Sequence, residues 1–131
     1  MTKIQNSKLE FGQRQKTYDL EERTFIFANK CRDFVKKIPK SLSNFEYAKQ
    51  LIRSSGSVGA NYIEANDSIS KKDFCHRIKI CRKEAKESRY WLRLIDVGDN
   101  KELEEEQEEL SQEALQLTKI FYSIMEKSKS F

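Results

Sequence analysis

The stretch Ser54–Asn66, SSGSVGANYIEAN, holds two of the chain's four glycines, Gly56 and Gly59, among serines and alanines. Such a composition suits a loop between helices, or a helix that has given up its large side chains. The flanking residues decide between them. Phe45, Ala48, Ile52, Ser55, Gly59, Tyr62 and Asn66 recur in alternating steps of three and four, straight through the small residues. A loop would break that phase, whereas a helix keeps one face with it. The stretch therefore reads as part of one continuous helix. Each interior glycine costs about 1 kcal/mol relative to alanine, so a close approach of a neighbouring helix should offset it. Folding the chain back near residue 69 sets Ser55 and Gly59 against Ala85 and Cys81, with Phe27 filling the space nearby.

Three more stripes share this spacing. The first runs Leu20, Thr24, Phe27, Cys31, Phe34, Ile38. The next is Phe74, Ile78, Cys81, Ala85, Ser88, Leu92, Ile95, and the last is Leu103, Gln107, Leu110, Ala114, Leu117, Phe121, Ile124. Asp19 with Glu22, Ser43 with Glu46, Ser70 with Asp73, and Asp99 with Glu102 each resemble a capping box at a helix start. Pro39 blocks continuation of the first helix, and Gly98 follows the third, where a left-handed residue is wanted. These signals predict helices at about 19–38, 44–67, 71–96 and 100–128. The short connections make it an all-α, up-down-up-down antiparallel four-helix bundle. Residues 1–16 are expected to be a loosely ordered segment and 17–131 the bundle domain.

Composition agrees. The chain has 131 residues, 35% charged and 37% hydrophobic, with a single proline, which suits one soluble helical domain. No apolar run reaches the roughly 18 residues of a membrane span. The N-terminus MTKIQNSKLEFGQRQ lacks the apolar core of a signal peptide. Three cysteines without a CxxC fit a reducing, cytoplasmic setting. The net charge of +4 conceals an asymmetry: 21 Lys and Arg against 12 acids up to residue 96, then 4 against 9 beyond it. A basic body can attract a polyanion, and an acidic end can attract a basic partner or another copy.

In this setting the central residues resemble a known family. LIRSSGSVGANYIEAN, SKKDF and RKEAKESRYWLRLI are similar to the bacterial four-helix-bundle proteins associated with intervening sequences of 23S ribosomal RNA genes. The resemblance rests on Arg53, Ser54, Ser57, Val58, Asn61, Tyr62 and Glu64, followed by Ser70, Lys71 and Phe74, and extends over about residues 20 to 126. The chain departs from many members in reading VGANYIEAN where they read IPSNIAEG. The resemblance implies a homopentameric ring. It also implies kinship with the basic accessory protein of diversity-generating retroelements, which binds nucleic acid and a reverse transcriptase. Arg53, Ser57, Gly59, Asn61 and Glu64 carry the family motif. Their polar members read either as a hydrogen-bond network joining helices or subunits, or as ligand contacts.

No catalytic constellation stands out, and no cofactor or metal is expected. His76 is the sole histidine; with Asp73 it only faintly resembles half of a bundle metal site, which needs two such motifs pointing inward. Cys31 and Cys81 lie on core stripes as small apolar fillers, and Cys75 would need distant co-ligands. Walker, HExxH and nucleophile-elbow motifs do not occur.

The third helix offers more. Lys72, His76, Lys79, Lys83, Lys86, Tyr90 and Arg93 repeat about 160° from its core stripe, and Arg82 and Arg89 lie beside them. Ser70–Asp96 holds nine Lys and Arg against four acids. This is either a solvated face or a phosphate-tracking ridge for RNA or single-stranded DNA. Ile80, Trp91 and Leu94 widen the apolar arc of the same helix, as a subunit interface or as ordinary core packing. The fourth helix opens with Glu102, Glu104, Glu105, Glu106, Glu108 and Glu109, a solvated face or a surface for a basic protein partner. Two functions follow: a non-enzymatic, homo-oligomeric nucleic-acid-binding adaptor, or a scaffold ring that recruits a protein through the acidic helix.

Overall fold

A computed structural model describes residues 8–129, and side chains from Leu20 onward. It is an all-α bundle of α1 (Lys8–Val35), α2 (Leu42–Asn66), α3 (Lys71–Leu94) and α4 (Lys101–Lys129). The packing of α2 on α3 and of α3 on α4 is the most extensive; α1 closes the bundle against α2 and α4. Each neighbour in sequence is a neighbour in space, as short connections require.

The glycine-bearing stretch is helical throughout. Its close contact, however, is with α1. A Cβ placed on Gly59 would lie 2.8 Å from Thr24 Oγ1 and 3.2 Å from Thr24 Cβ. The small-on-small contact with α3 is made one position earlier than expected, where the buried hydroxyls of Ser54 and Ser88 meet at 2.8 Å. Ser55 instead serves α1, through a side-chain hydrogen bond with Cys31. The reason is rotation. The buried face of α2 comprises Asn44, Leu51, Ser54, Ser55, Val58, Tyr62 and Ala65, because α2 must cover α3 as well as α1. Phe45 and Ile52, expected inside, sit at the α1-side edge and are exposed. The other three stripes are buried or half-buried along their lengths.

The helix ends show which signals governed. Ser70 caps α3 as expected, accepting from the Asp73 amide at 3.0 Å. For α2 the cap is Ser41, in place of Ser43, and it accepts from the Asn44 amide at 3.1 Å. That start turns Asn44 inward, where it is almost fully buried. Asn44 Nδ2 donates to the carbonyls of Pro39 and Asp96 at 2.9 and 2.8 Å, and Oδ1 accepts from the Asp96 amide at 2.9 Å. One side chain thus ties the α1–α2 connection to the α3–α4 connection. Asn100, in place of Asp99, caps α4 by accepting from the Leu103 amide at 3.0 Å; the two are adjacent and equally suited.

Asp19 caps nothing. The helix runs through it from Lys8, since Lys8–Thr17 is rich in straight-chain helix formers. Of the segment expected to be loosely ordered, residues 1–7 lie outside the described residues, and the backbone is already helical from Lys8. Helix α1 stops at Val35, short of residue 38, because the approach to Pro39 disfavours helical geometry. Helix α3 stops at Leu94: Ile95 turns extended, and Ile95 and Val97 enter the core from the connection. Gly98 takes the left-handed conformation, φ +69°, within that connection.

Candidate nucleic-acid interface

The basic residues of α3 divide between two sides of the helix. Toward α4, Arg82, Lys86, Arg89, Tyr90 and Arg93 meet Leu115 and Thr118 and line a groove of about 370 Å³. At its far end the Arg82 guanidinium lies over the Tyr122 ring, 5.2 Å from the centroid. Tyr90 stands edge-on to Trp91 at 5.2 Å and is 56% exposed. Among the described residues, Arg82, Lys86, Arg89 and Arg93 pair with no carboxylate, and neither do Lys72 and Lys79 farther along the helix. The enclosed Nε of Arg89 also finds no hydrogen-bond acceptor. Four cations without a carboxylate partner share one seam.

Lys83 lies apart from them. It reaches toward Glu87 at 3.7 Å and Glu84 at 4.0 Å, which also receive Arg53 of α2, at 3.1 and 3.6 Å respectively. Arg53 is therefore a bridge between α2 and α3. Asn61 is another: its Nδ2 donates to the Ser57 carbonyl at 2.9 Å while Oδ1 accepts from Arg77 of α3 at 3.1 Å. Gly59 packs on Thr24. The Glu64 side chain is exposed and joins no ion pair among the described residues. Of the motif residues, Arg53, Gly59 and Asn61 thus each contact a neighbouring helix.

Trp91 is half-buried and stacks on Tyr47 of α2 at 6.2 Å. It belongs to the α2–α3 seam of its own bundle. Ile80 is half-buried, and Leu94 is 38% exposed. The larger exposed apolar surface lies elsewhere, with Phe25 on α1 and Phe45, Ile52 and Ile63 on α2. By helical spacing the three α2 residues share the side on which Gly59 meets α1.

The acidic face of α4 turns toward α1. Glu102, Glu105, Glu106, Glu109 and Glu113 line a groove of about 680 Å³ together with Arg23 and Lys30 of α1 and Lys37 just beyond its end. Arg23 grips Glu113 with two hydrogen bonds of 2.7 and 2.9 Å, and Lys37 binds Glu106 at 2.8 Å. Part of the acidic charge is thus met within the chain.

Cys31 and Cys81 are fully buried, and burial pushes both thiols up to about 12. His76 is exposed and Cys75 half-buried. No group of three or more His, Cys, Asp or Glu side chains is arranged to hold a metal ion among the described residues, and no helix there is long and apolar enough to cross a membrane.

A four-helix bundle with a carboxylate-free basic seam is the class of protein defined by this geometry. The profile of the 23S rRNA-intervening sequence protein family matches residues 16–123, and the chain belongs to that family. A crystal structure of a protein of unknown function from the S23 ribosomal protein family of Bacteroides thetaiotaomicron VPI-5482 is similar to it. That likeness has a TM-score of 0.69 and 29% identity, covering 80% of this chain and 96% of the other. Comparison with functionally curated proteins gives no match.

Sequence reasoning found the cations of the groove and Tyr90, but missed Tyr122, Asn44, Arg77 and the α1 side of the acidic groove. Tyr122 follows the core residue Phe121 and carries no signal of its own; only the pairing of α3 with α4 brings it to Arg82.

Proposed function

We propose that the protein is a non-enzymatic, homo-oligomeric adaptor that binds nucleic acid, RNA in the first instance, along the α3–α4 seam. The observation that carries this reading is the segregation of charge. Arg23, Lys37, Arg53 and Lys83 contact carboxylates, whereas Arg82, Lys86, Arg89 and Arg93 face a common groove without one. A polyanion supplies the missing partner at every turn of the helix. Lys72 and Lys79 extend the track, and a ring of copies would repeat it. The test is a gel shift with RNA at low salt. Reversing Arg82, Lys86 and Arg93 together to glutamate should abolish the shift, while Lys83→Glu should weaken it far less. Equal loss from both variants would move the site off the groove.

Self-association is supported by the exposed apolar side chains Phe25, Phe45, Ile52 and Ile63 on α1 and α2, since apolar side chains grouped on one pair of helices suit an interaction surface. Five copies is the number implied by the family resemblance. The scaffold reading, with a basic protein partner on α4, is supported only by those glutamates that α1 leaves unpaired, Glu102, Glu105 and Glu109 among them.

A further inference from the structure

We infer that the α3–α4 groove selects unpaired strands over duplexes by stacking bases on Tyr90 and Tyr122; this rests on the proposal that the seam binds nucleic acid. Cations alone would give no such preference, since a duplex offers phosphates at higher density and responds to lysine and arginine at least as strongly. The groove, however, is not lined by cations alone: it holds Tyr90, and Tyr122 lies next to it beneath Arg82. Tyr122 is 47% exposed although Arg82 covers part of its ring, and Tyr90 is 56% exposed. Neither ring is needed by the core, which is completed by their neighbours Phe121 and Leu92.

The Arg82 guanidinium over the Tyr122 ring sets Tyr122 near the level of Arg82 along α3. Eight residues separate Arg82 from Tyr90, about 12 Å at 1.5 Å per residue. That distance is spanned by a few nucleotides of single strand. Lys86 and Arg89 fall between the two rings, where the connecting phosphates would pass. An aromatic, two cations and a second aromatic above an arginine is the order in which a single strand presents base, backbone and base. A duplex keeps its bases stacked on one another, so the two rings would add nothing to its binding.

The experiment is fluorescence anisotropy at low salt with two labelled RNAs. One is an unstructured strand of about twelve nucleotides, and the other is a blunt duplex of the same length. The wild-type protein should bind the strand more tightly. Tyr122→Leu should lose roughly ten-fold in affinity for the strand and almost nothing for the duplex, and Tyr122→Phe should retain both. Tyr90→Leu and Tyr90→Phe should repeat the pattern, with circular dichroism confirming that contact with Trp91 has not altered the fold. Equal wild-type affinity for the two RNAs, or an equal loss on both from the leucine variants, would overturn the stacking inference and leave the basic seam intact. Failure of both RNAs to bind would remove the seam itself as a nucleic-acid site, and the inference with it.

Discussion

Gly59 and Thr24 meet where α2 lies close against α1: a methyl group on Gly59 would intrude to 2.8 Å from the Thr24 hydroxyl oxygen. Thr24 cannot swing aside freely. It is buried, β-branched, and its hydroxyl lies 3.0 Å from the carbonyls of both Leu20 and Glu21. Gly59→Ala should therefore destabilise, because overpacking of about 1–3 kcal/mol outweighs a helix-propensity gain of about 1 kcal/mol. Gly56 has nothing within 4 Å of its would-be Cβ. Gly56→Ala should stabilise by about 0.5–1 kcal/mol. Thermal melts of the two variants should move in opposite directions, and Thr24→Ala should relieve the Gly59→Ala defect.

Asn44 should be among the most sensitive positions. Replacing it with leucine removes three hydrogen bonds that join two connections at one end of the bundle. The Asp96 amide and two carbonyls would be left without their partner, at about 1–3 kcal/mol for each group that stays buried. Urea denaturation should show a loss of at least about 2 kcal/mol for Asn44→Leu. Phe45→Ser, next to it but 63% exposed, should cost far less.

Most of the fold was legible because helical periodicity survives translation into burial. Three stripes of side chains fell inside as read, and the small-residue stretch was helical. What the sequence could not convey was how far α2 rolls between two neighbours. Phe45 and Leu51 are equally apolar, and only the demands of α1 and α3 together decide that Leu51 is buried. Helix starts were ambiguous by one or two residues wherever two capping side chains stood close, as with Ser41 and Ser43. At the candidate site, the cations were visible from composition, but their sorting was not. Lys83 and Lys86 look alike in sequence; the glutamates on the α2 side claim the first and leave the second to the groove.

The buried thiols give a chemical test. Cys31 and Cys81 stay protonated to about 12, against an ordinary 9.0, because burial disfavours the thiolate. Iodoacetamide at about pH 8 should alkylate Cys75 in the folded protein and leave the other two intact. All three should react in denaturant. The same shift sets a direction with pH. Unfolded thiols ionise near 9.0 while folded ones do not, so the stabilisation is complete below that value and is lost as pH rises above it. Each thiol contributes a decline of about 1.4 kcal/mol per pH unit in that window. Cys31→Ala with Cys81→Ala should flatten the decline between about pH 9 and 11.

Assembly and folding should separate by mutation. Trp91→Glu places a charge against Tyr47 in the α2–α3 seam and should lower the melting temperature of the bundle itself. Ile52→Glu, on the exposed α1–α2 face, should leave the helices intact and reduce the mass seen by light scattering. A monomeric wild-type protein at micromolar concentration would refute self-association.

The salt dependence of RNA binding reaches furthest into the claim that the α3–α4 seam is a polyanion site. Anisotropy of a labelled unstructured RNA should be followed from about 50 to 200 mM salt. If Arg82, Lys86, Arg89 and Arg93 each neutralise one phosphate, log K should fall with log salt at a slope of roughly −2.8, from about −0.7 per contact on a single strand. Arg93→Gln should reduce that slope by about 0.7. A slope near zero, or no binding at about 50 mM salt, would mean that these four cations form only a solvated face.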